Sequence, residues 1–276
     1  MDTSMRFSVS MCVYGGDDAE HFSEALKSIV YQSVTPSEVV LVVDGPVSNE
    51  INAVIQAYEG KSYFKLIRLA QNAGHGNARR IGLEHCTYDL VALMDADDIS
   101  AKDRFEKQLA YFHRDPAISI VGGNIQEFIK EPSCAVGLRL VPPDDKEIKA
   151  YMRKRCPFNQ VTVMFKKPDV LLVGGYIDWN YEEDYYLWLR MYQAGMKFAN
   201  IPDTLVYVRV GKDMYQRRGG IRYFRSEAKL QRYMLDHHII SFPDYLSNLT
   251  KRFIVQLMLP NSLRGYVYTR YARKAA

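Results

Sequence analysis

The sequence predicts an α/β fold built on a mainly parallel sheet, with a helical extension at the C-terminal end. Three features carry this. Strand and helix signals alternate through the first half of the chain, as they do in β-α-β units. The strand runs are continuously apolar, as in Val39-Val40-Leu41-Val42-Val43, which suits strands covered on both faces. Carboxylates follow two of these runs directly, at Asp44 and at Asp95-Ala96-Asp97-Asp98, where open α/β sheets bind their ligands.

In chain order, Phe7 to Val13 reads as a first strand. A helix over Phe22 to Gln32 places Phe22, Ala25, Leu26 and Ile29 on one face. Val39 to Val43 is a second strand, a helix starts near Ser48, and Phe64 to Ile67 is a third strand. Asn77 to His85 reads as a helix, and Leu90 to Met94 as the strand that feeds Asp95. After Arg104 the rhythm changes. A helix runs to about His113, a strand follows at Ile118 to Val121, and Asp144 to Arg153 reads as a helix opened by acidic residues. Residues 182 to 195 form an amphipathic helix with Tyr185, Trp188, Leu189 and Tyr192 on one face, Asp184 in its first turn and Gly195 as its stop.

At 276 residues and 47% hydrophobic composition the chain can bury a sizeable core. It shows no apolar stretch near the roughly 18 residues that span a bilayer and no signal peptide, so the expected compartment is the cytoplasm. Cys12, Cys86, Cys134 and Cys156 lack zinc or redox spacing and read as reduced and mostly buried. Charge is unevenly spread. From Gly211 onward thirteen Lys or Arg face four Asp or Glu, so a basic tail follows an acidic body. The charge comes with no recognised nucleic-acid motif, and nucleic acid is not expected as a partner.

Asp95, Asp97 and Asp98 repel one another and need a cation, a base or water to compensate them. The bland reading is a solvated turn, with Asp98 as a helix cap. The functional one is a hard-oxygen site for Mg²⁺ or Mn²⁺, completed by substrate phosphates. An aspartyl phosphotransferase also places D-x-D after an apolar strand. Asp44 serves either the Asp-Gly-Pro turn or a nucleotide's base or ribose. Gln71 to Arg80 is a loop entering a helix, where small residues approach a diphosphate and Arg79 or Arg80 neutralises it; His75 reads as a loop histidine. Glu182-Glu183-Asp184 is either an acidic helix start or the seat of a general base.

Together these segments resemble family 2 glycosyltransferases of the GT-A fold. Ser8 to Tyr14 is similar to the family's first strand, and Leu26, Ser28, Ile29, Gln32 and Pro36 match its first helix. Val42-Val43-Asp44-Gly45 resembles its V-D-D-G-S strand end, with Val43 in place of the first Asp. Asn72, Gly74, Ala78 and Arg79 match N-x-G-x-x-x-A-R-N, with Arg80 in place of the last Asn. Asp95-Ala96-Asp97-Asp98 corresponds to the metal motif, Gly174-Gly175-Tyr176 to an acceptor-side loop, and Glu183-Asp184 with Leu187, Leu189 and Arg190 to E-D-x-x-L-x-L-R. Val206 to Arg209 is similar to a following short strand.

The resemblance implies a GT-A domain over residues 1–210, with a nucleotide-sugar half at about 1–105 and an acceptor half at 106–210. A basic helical extension follows at 211–276. It implies an inverting enzyme using a nucleotide sugar, most often a UDP-sugar, with Mn²⁺ or Mg²⁺. Cys12, Val13, Tyr14 and Asp44 would surround base and ribose; Asn72, Gly74, Arg79, Asp95 and Ala96 the sugar diphosphate; Asp95 and Asp97 the metal. Asp184 is the expected base and Glu183 the second choice, with Gly174, Gly175, Tyr176 and Trp179 on the acceptor side. A non-catalytic nucleotide-sugar binder is the other reading.

Tyr215 to Gly220 resembles a segment of members that build capsular, exopolysaccharide or O-antigen repeats, which implies a saccharide or polyprenyl-diphosphate-linked acceptor. Leu246, Leu249, Phe253 and Leu257 lie at helical spacing beside Lys251 and Arg252, and Arg264, Arg270, Arg273 and Lys274 follow. Such a helix either meets an anionic membrane face or packs on the catalytic body.

Overall fold

A computed structural model describes residues 5–177, 179, 181–211 and 219–260. Tyr215 to Arg218 and the basic residues from Arg264 onward lie outside them. The first half alternates strand and helix: β1 (Phe7–Tyr14), α1 (Ala19–Val30), β2 (Glu38–Asp44), α2 (Asn49–Gln56), β3 (Phe64–Arg68), α3 (His75–His85) and β4 (Leu90–Met94). β1 pairs in parallel with β2 and β4, and β2 with β3. The continuous apolar run of β2 divides between two cores. Val39, Leu41 and Val43 join Phe22, Leu26, Ile29, Ile51 and Ile55 under α1 and α2, whereas Val40 joins Leu83 of α3 on the opposite face. Caps set the helix starts where side-chain oxygens meet free amides: Asp18 accepts from Glu20 and His21, and Ser48 from Ile51.

The second half contributes β5 (Ile99–Ser100), α4 (Arg104–Arg114), β6 (Ile118–Phe128), β7 (Ala135–Arg139), α5 (Asp145–Met152), β8 (Met164–Lys166), α6 (Lys167–Leu172), α7 (Glu183–Gln193) and β9 (Lys197–Arg209). Among the described residues the strands form one nine-stranded sheet in the order β3-β2-β1-β4-β8-β6-β9-β5, with β7 on β6. β8 runs antiparallel to both β4 and β6 and so joins the two halves edge to edge.

β6 and β9 are far longer than the short runs the sequence predicts. Gly122-Gly123-Asn124 interrupts the apolar signal in β6, yet parallel pairing with β9 carries the strand through register shifts at Gly123 to Ile125. Cys134 is exposed, unlike the buried Cys86, because it falls in the loop before β7.

After Gly220 come α8 (Ile221–Asp236), α9 (Phe242–Phe253) and a π turn (Ile254–Met258). Leu230 and Met234 of α8, with Ile239 and Ile240, pack in the same core as Trp188 and Leu189 of α7. One side of the extension is therefore part of the body. Its other side exposes Phe242, Leu246, Phe253, Ile254 and Met258.

Candidate active site

The carboxyl ends of β1, β2 and β4 open onto one side of the sheet. Asp44 is buried there, its Oδ1 accepting from the Ala73 amide at 2.6 Å, while Asn72 Nδ2 donates to the Asp44 carbonyl at 3.3 Å. Asp44 thereby clasps the 72–74 loop to the end of β2. Gly45 makes the close approach possible: its φ is +86°, and a Cβ there would stand 2.6 Å from the Asn72 amide nitrogen. Gly45→Ala combines a left-handed penalty with a backbone clash, and a loss of about 2–4 kcal/mol is expected. Thermal denaturation checks it, and an unchanged midpoint would remove this account of the loop.

Arg79 is the central cation. Only 6% exposed, it donates from Nη2 to Asp95 Oδ1 at 2.7 Å and from Nε to His75 Nε2 at 3.0 Å. Its Nη1 is buried with no hydrogen-bond partner among the described residues, a vacant donor beside the acidic loop. His75, expected as a loop histidine, instead links the two sides: its Nδ1 lies 3.4 Å from Glu183 Oε1.

Four carboxylates gather at the end of β4. Burial, with the charges of Asp97 and Asp95, pushes Asp17 up to about 6, and Asp17 Oδ2 accepts from the Tyr14 amide at 2.9 Å. Burial and Asp95 raise Asp97; burial, Asp97 and Asp95 raise Asp98 well above the ordinary range. Asp98 is not a helix cap, since α4 starts six residues later; its Oδ1 accepts from the Arg209 amide at 2.9 Å and ties β4 to the end of β9. Asp17 has no sequence signal, because Tyr14-Gly15-Gly16-Asp17-Asp18 carries no motif that singles it out.

A cleft of about 1200 Å³ runs from this corner across the start of α7. It is lined on the donor side by Ala73 to Asn77, Asp95 and Asp98, and centrally by Glu182, Glu183, Asp184 and Trp179. Val13 and Ala96 are buried in the core, and Tyr14 is exposed at the end of β1. Gly174 and Gly175 lie outside the cleft lining: Arg190 holds that turn by donating to the carbonyls of Val173 and Gly175. Tyr176 is buried, receiving a hydrogen bond from Gln160 at 3.3 Å, and its hydroxyl is raised by burial. Trp179 stacks at 4.3 Å on Tyr186, carries Lys229 Nζ 4.0 Å over its ring, and leaves Nε1 without a partner among the described residues.

The two candidate bases differ. Burial opposes the charge of Glu183, but the hydrogen bond with His75 and the Arg79 charge outweigh it and hold Glu183 below its ordinary range. Among the described residues Asp184 accepts from the Tyr185 amide alone, at 2.6 Å, and burial with the Glu183 charge pushes it up to about 6. Glu182 is buried beside Glu227, which pairs with Arg252 of α9, and is raised well above the ordinary range by burial and by Glu227.

The sheet order and the strand-end acidic corner define a GT-A glycosyltransferase architecture, and known proteins bear this out. The Glycosyl transferase family 2 profile matches residues 8–195, and the chain belongs to that family. It is 37% identical over 273 residues to the Escherichia coli UDP-Gal:alpha-D-GlcNAc-diphosphoundecaprenol beta-1,3-galactosyltransferase, covering 99% of this chain and 98% of that one. It is 38% identical over 229 residues to the amylovoran biosynthesis glycosyltransferase AmsE of Erwinia amylovora, covering 83% and 85%. Among solved structures, S. aureus TarS in complex with UDP-GlcNAc superposes with a TM-score of 0.66 at 16% identity, over 91% of this chain and 73% of that one. This last likeness is one of fold.

Proposed function

We propose that this chain is an inverting, cation-assisted glycosyltransferase. It moves a sugar from a nucleotide sugar, most simply a UDP-sugar, to a lipid-linked saccharide in surface polysaccharide synthesis. One observation carries the reading: a single cleft is lined both by Asp95, the partner of Arg79, and by Asp184 at the start of α7. In this reading the bond from the anomeric carbon to the donor phosphate breaks while an acceptor hydroxyl attacks from the other face. Asp184 takes the hydroxyl proton, and its raised carboxyl suits a base working near neutral pH. Arg79 Nη1 and the amides at the start of α3 receive the diphosphate charge, while Asp44 holds the 72–74 loop in place.

The crowded carboxylates fit a hard divalent cation. Asp97 and Asp95 would hold Mn²⁺ or Mg²⁺, with Asp17 facing them. Among the described residues no group of three or more His, Cys, Asp or Glu forms a metal cluster, so the diphosphate and water would complete the shell. Such a cation supplies charge stabilisation at the leaving group. The named relatives and the UDP-GlcNAc complex support the donor and acceptor classes. A thermal-shift and transfer screen of nucleotide sugars with and without Mn²⁺ tests the reading. A UDP-sugar is expected to raise the melting midpoint and to be consumed with a diphosphate-lipid acceptor. Tight UDP binding with neither hydrolysis nor transfer would make the chain a binding protein instead.

The extension would place the enzyme on the inner face of the cell membrane. Among the described residues no helix is long and apolar enough to cross a membrane. The exposed strip of Phe242, Leu246, Phe253, Ile254 and Met258 beside Lys251 suits peripheral contact. Removing everything after Gly211 would strip Leu230 and Met234 from the core, so side-chain variants are the sound test. Replacing Phe242, Leu246 and Met258 with Ser is expected to reduce partitioning onto anionic vesicles severalfold; equal partitioning would remove the membrane role.

A further inference from the structure

Besides the donor-side residues, the cleft carries a group of cations, with Glu182 and Glu227 beside them. Arg139, Lys154, Arg155, Lys251 and Arg252 line it, drawn from β7, the turn after α5, and α9. This convergence is built by long-range hydrogen bonds. Arg153 Nε donates to the Ile239 carbonyl at 3.0 Å, Asn248 Nδ2 to the Arg153 carbonyl at 3.0 Å, and Arg252 Nη2 to the Lys154 carbonyl at 3.1 Å. They stitch the 153–155 turn to the α8–α9 hairpin, so that Lys154 and Arg155 share one wall with Lys251.

Not all of these cations are available. Arg252 pairs with Glu227. Arg139 Nη2 donates to the Cys156 carbonyl at 3.1 Å, and its charge acts on Asp184. Lys154, Arg155 and Lys251 have no ion-pair partner within 4.0 Å among the described residues. A helix C-terminus favours a cation, which accounts for each singly. It does not account for their meeting in one cleft, where Glu227 is taken by Arg252 and the remaining like charges are relieved by an anion between them.

We propose that Lys154, Arg155 and Lys251 form a second anion subsite, which takes the phosphate or diphosphate ester on the acceptor sugar. This rests on the glycosyltransferase reading above. The position is right for the chemistry. Arg155 is next to Cys156, whose thiol is raised first by burial and then by the Asp184 charge, so the basic wall begins beside the base. An acceptor with its hydroxyl at Asp184 presents its anomeric phosphate across the same ring, toward that wall. A lipid tail on the phosphate would continue past Val255 of the π turn toward the exposed Ile254 and Met258. Lys and Arg both serve phosphate esters, Arg through a bidentate fork.

Titration of full-length protein with inorganic pyrophosphate, with and without saturating UDP, tests this without needing turnover. The wild type is expected to keep one binding event when UDP is saturating. The Lys154→Gln/Arg155→Gln/Lys251→Gln variant should weaken that event at least tenfold while keeping the one that UDP displaces. All three side chains are exposed or half-buried, and a melting curve confirms that the variant folds. The second arm compares one acceptor sugar carried as an alkyl diphosphate ester or as a neutral alkyl glycoside. The preference for the ester is expected to fall at least tenfold in the variant, as a rise in acceptor KM. Complete displacement of pyrophosphate by UDP in the wild type, or equal losses with both acceptors, would overturn the subsite. If no acceptor is used at all, the glycosyltransferase reading fails while the pyrophosphate result still decides the subsite.

Discussion

Replacing Asp184 with Asn is expected to lower transfer by about two to four orders of magnitude, the range that a positioned general base contributes. Nucleotide-sugar binding should survive, because the amide oxygen can still accept from the Tyr185 amide and the Arg79–Asp95 pair is untouched. Wild-type transfer should rise with pH through about 6 as Asp184 ionises. The same carboxyl makes a stability prediction of opposite sense. Its pKa is raised from the ordinary 3.8, so the folded state holds a proton that the unfolded chain has released. Stability therefore falls as pH rises through that window and levels off above it. Asn abolishes the effect, so the variant should gain up to roughly 3 kcal/mol on the wild type between pH 4 and pH 8. Denaturant midpoints at the two pH values measure this. Near-normal turnover would instead remove Asp184 from the base role and leave Glu183 as the next residue to test.

The second large effect is expected from the acidic corner. Chelation should reduce transfer by at least about a hundredfold, consistent with the several kcal/mol a cation supplies to a departing diphosphate, and Mn²⁺ should restore it. Asp97→Asn should cause a comparable loss that added Mn²⁺ does not recover. The thermal readout separates the causes. Asp97 is raised by burial and by Asp95, so its ionised form is held against cost in the cation-free protein. The Asn variant should then melt higher than the wild type without metal, yet gain less from Mn²⁺. Equal Mn²⁺ stabilisation of both proteins would exclude Asp97 as a ligand.

Where the sequence is readable, it is readable for local reasons. β2 announces itself through five consecutive aliphatics, and α7 through an apolar face of which Tyr185, Trp188 and Leu189 are buried and Tyr192 half-buried. β5, β7 and β8 carry no such signal: they are two to five residues long and exist because neighbouring strands pair with them. α6 opens with Lys167-Pro168 after a three-residue strand, too short a run for any period to emerge.

The same division holds at the site. By itself the sequence determined the α/β class, the first strands and helices, and the carboxylates at their ends, because periodicity and strand-end chemistry are properties of neighbouring residues. Only the tertiary structure decided that His75 bridges Arg79 and Glu183, that Asp17 faces Asp95 and Asp97, and that Asp98 ties β4 to β9. It alone brought Lys154 and Arg155 alongside Lys251, nearly a hundred positions away, through hydrogen bonds from Asn248 and Arg252. Charge and burial at such places depend on which distant side chains converge. No short window of sequence contains that information.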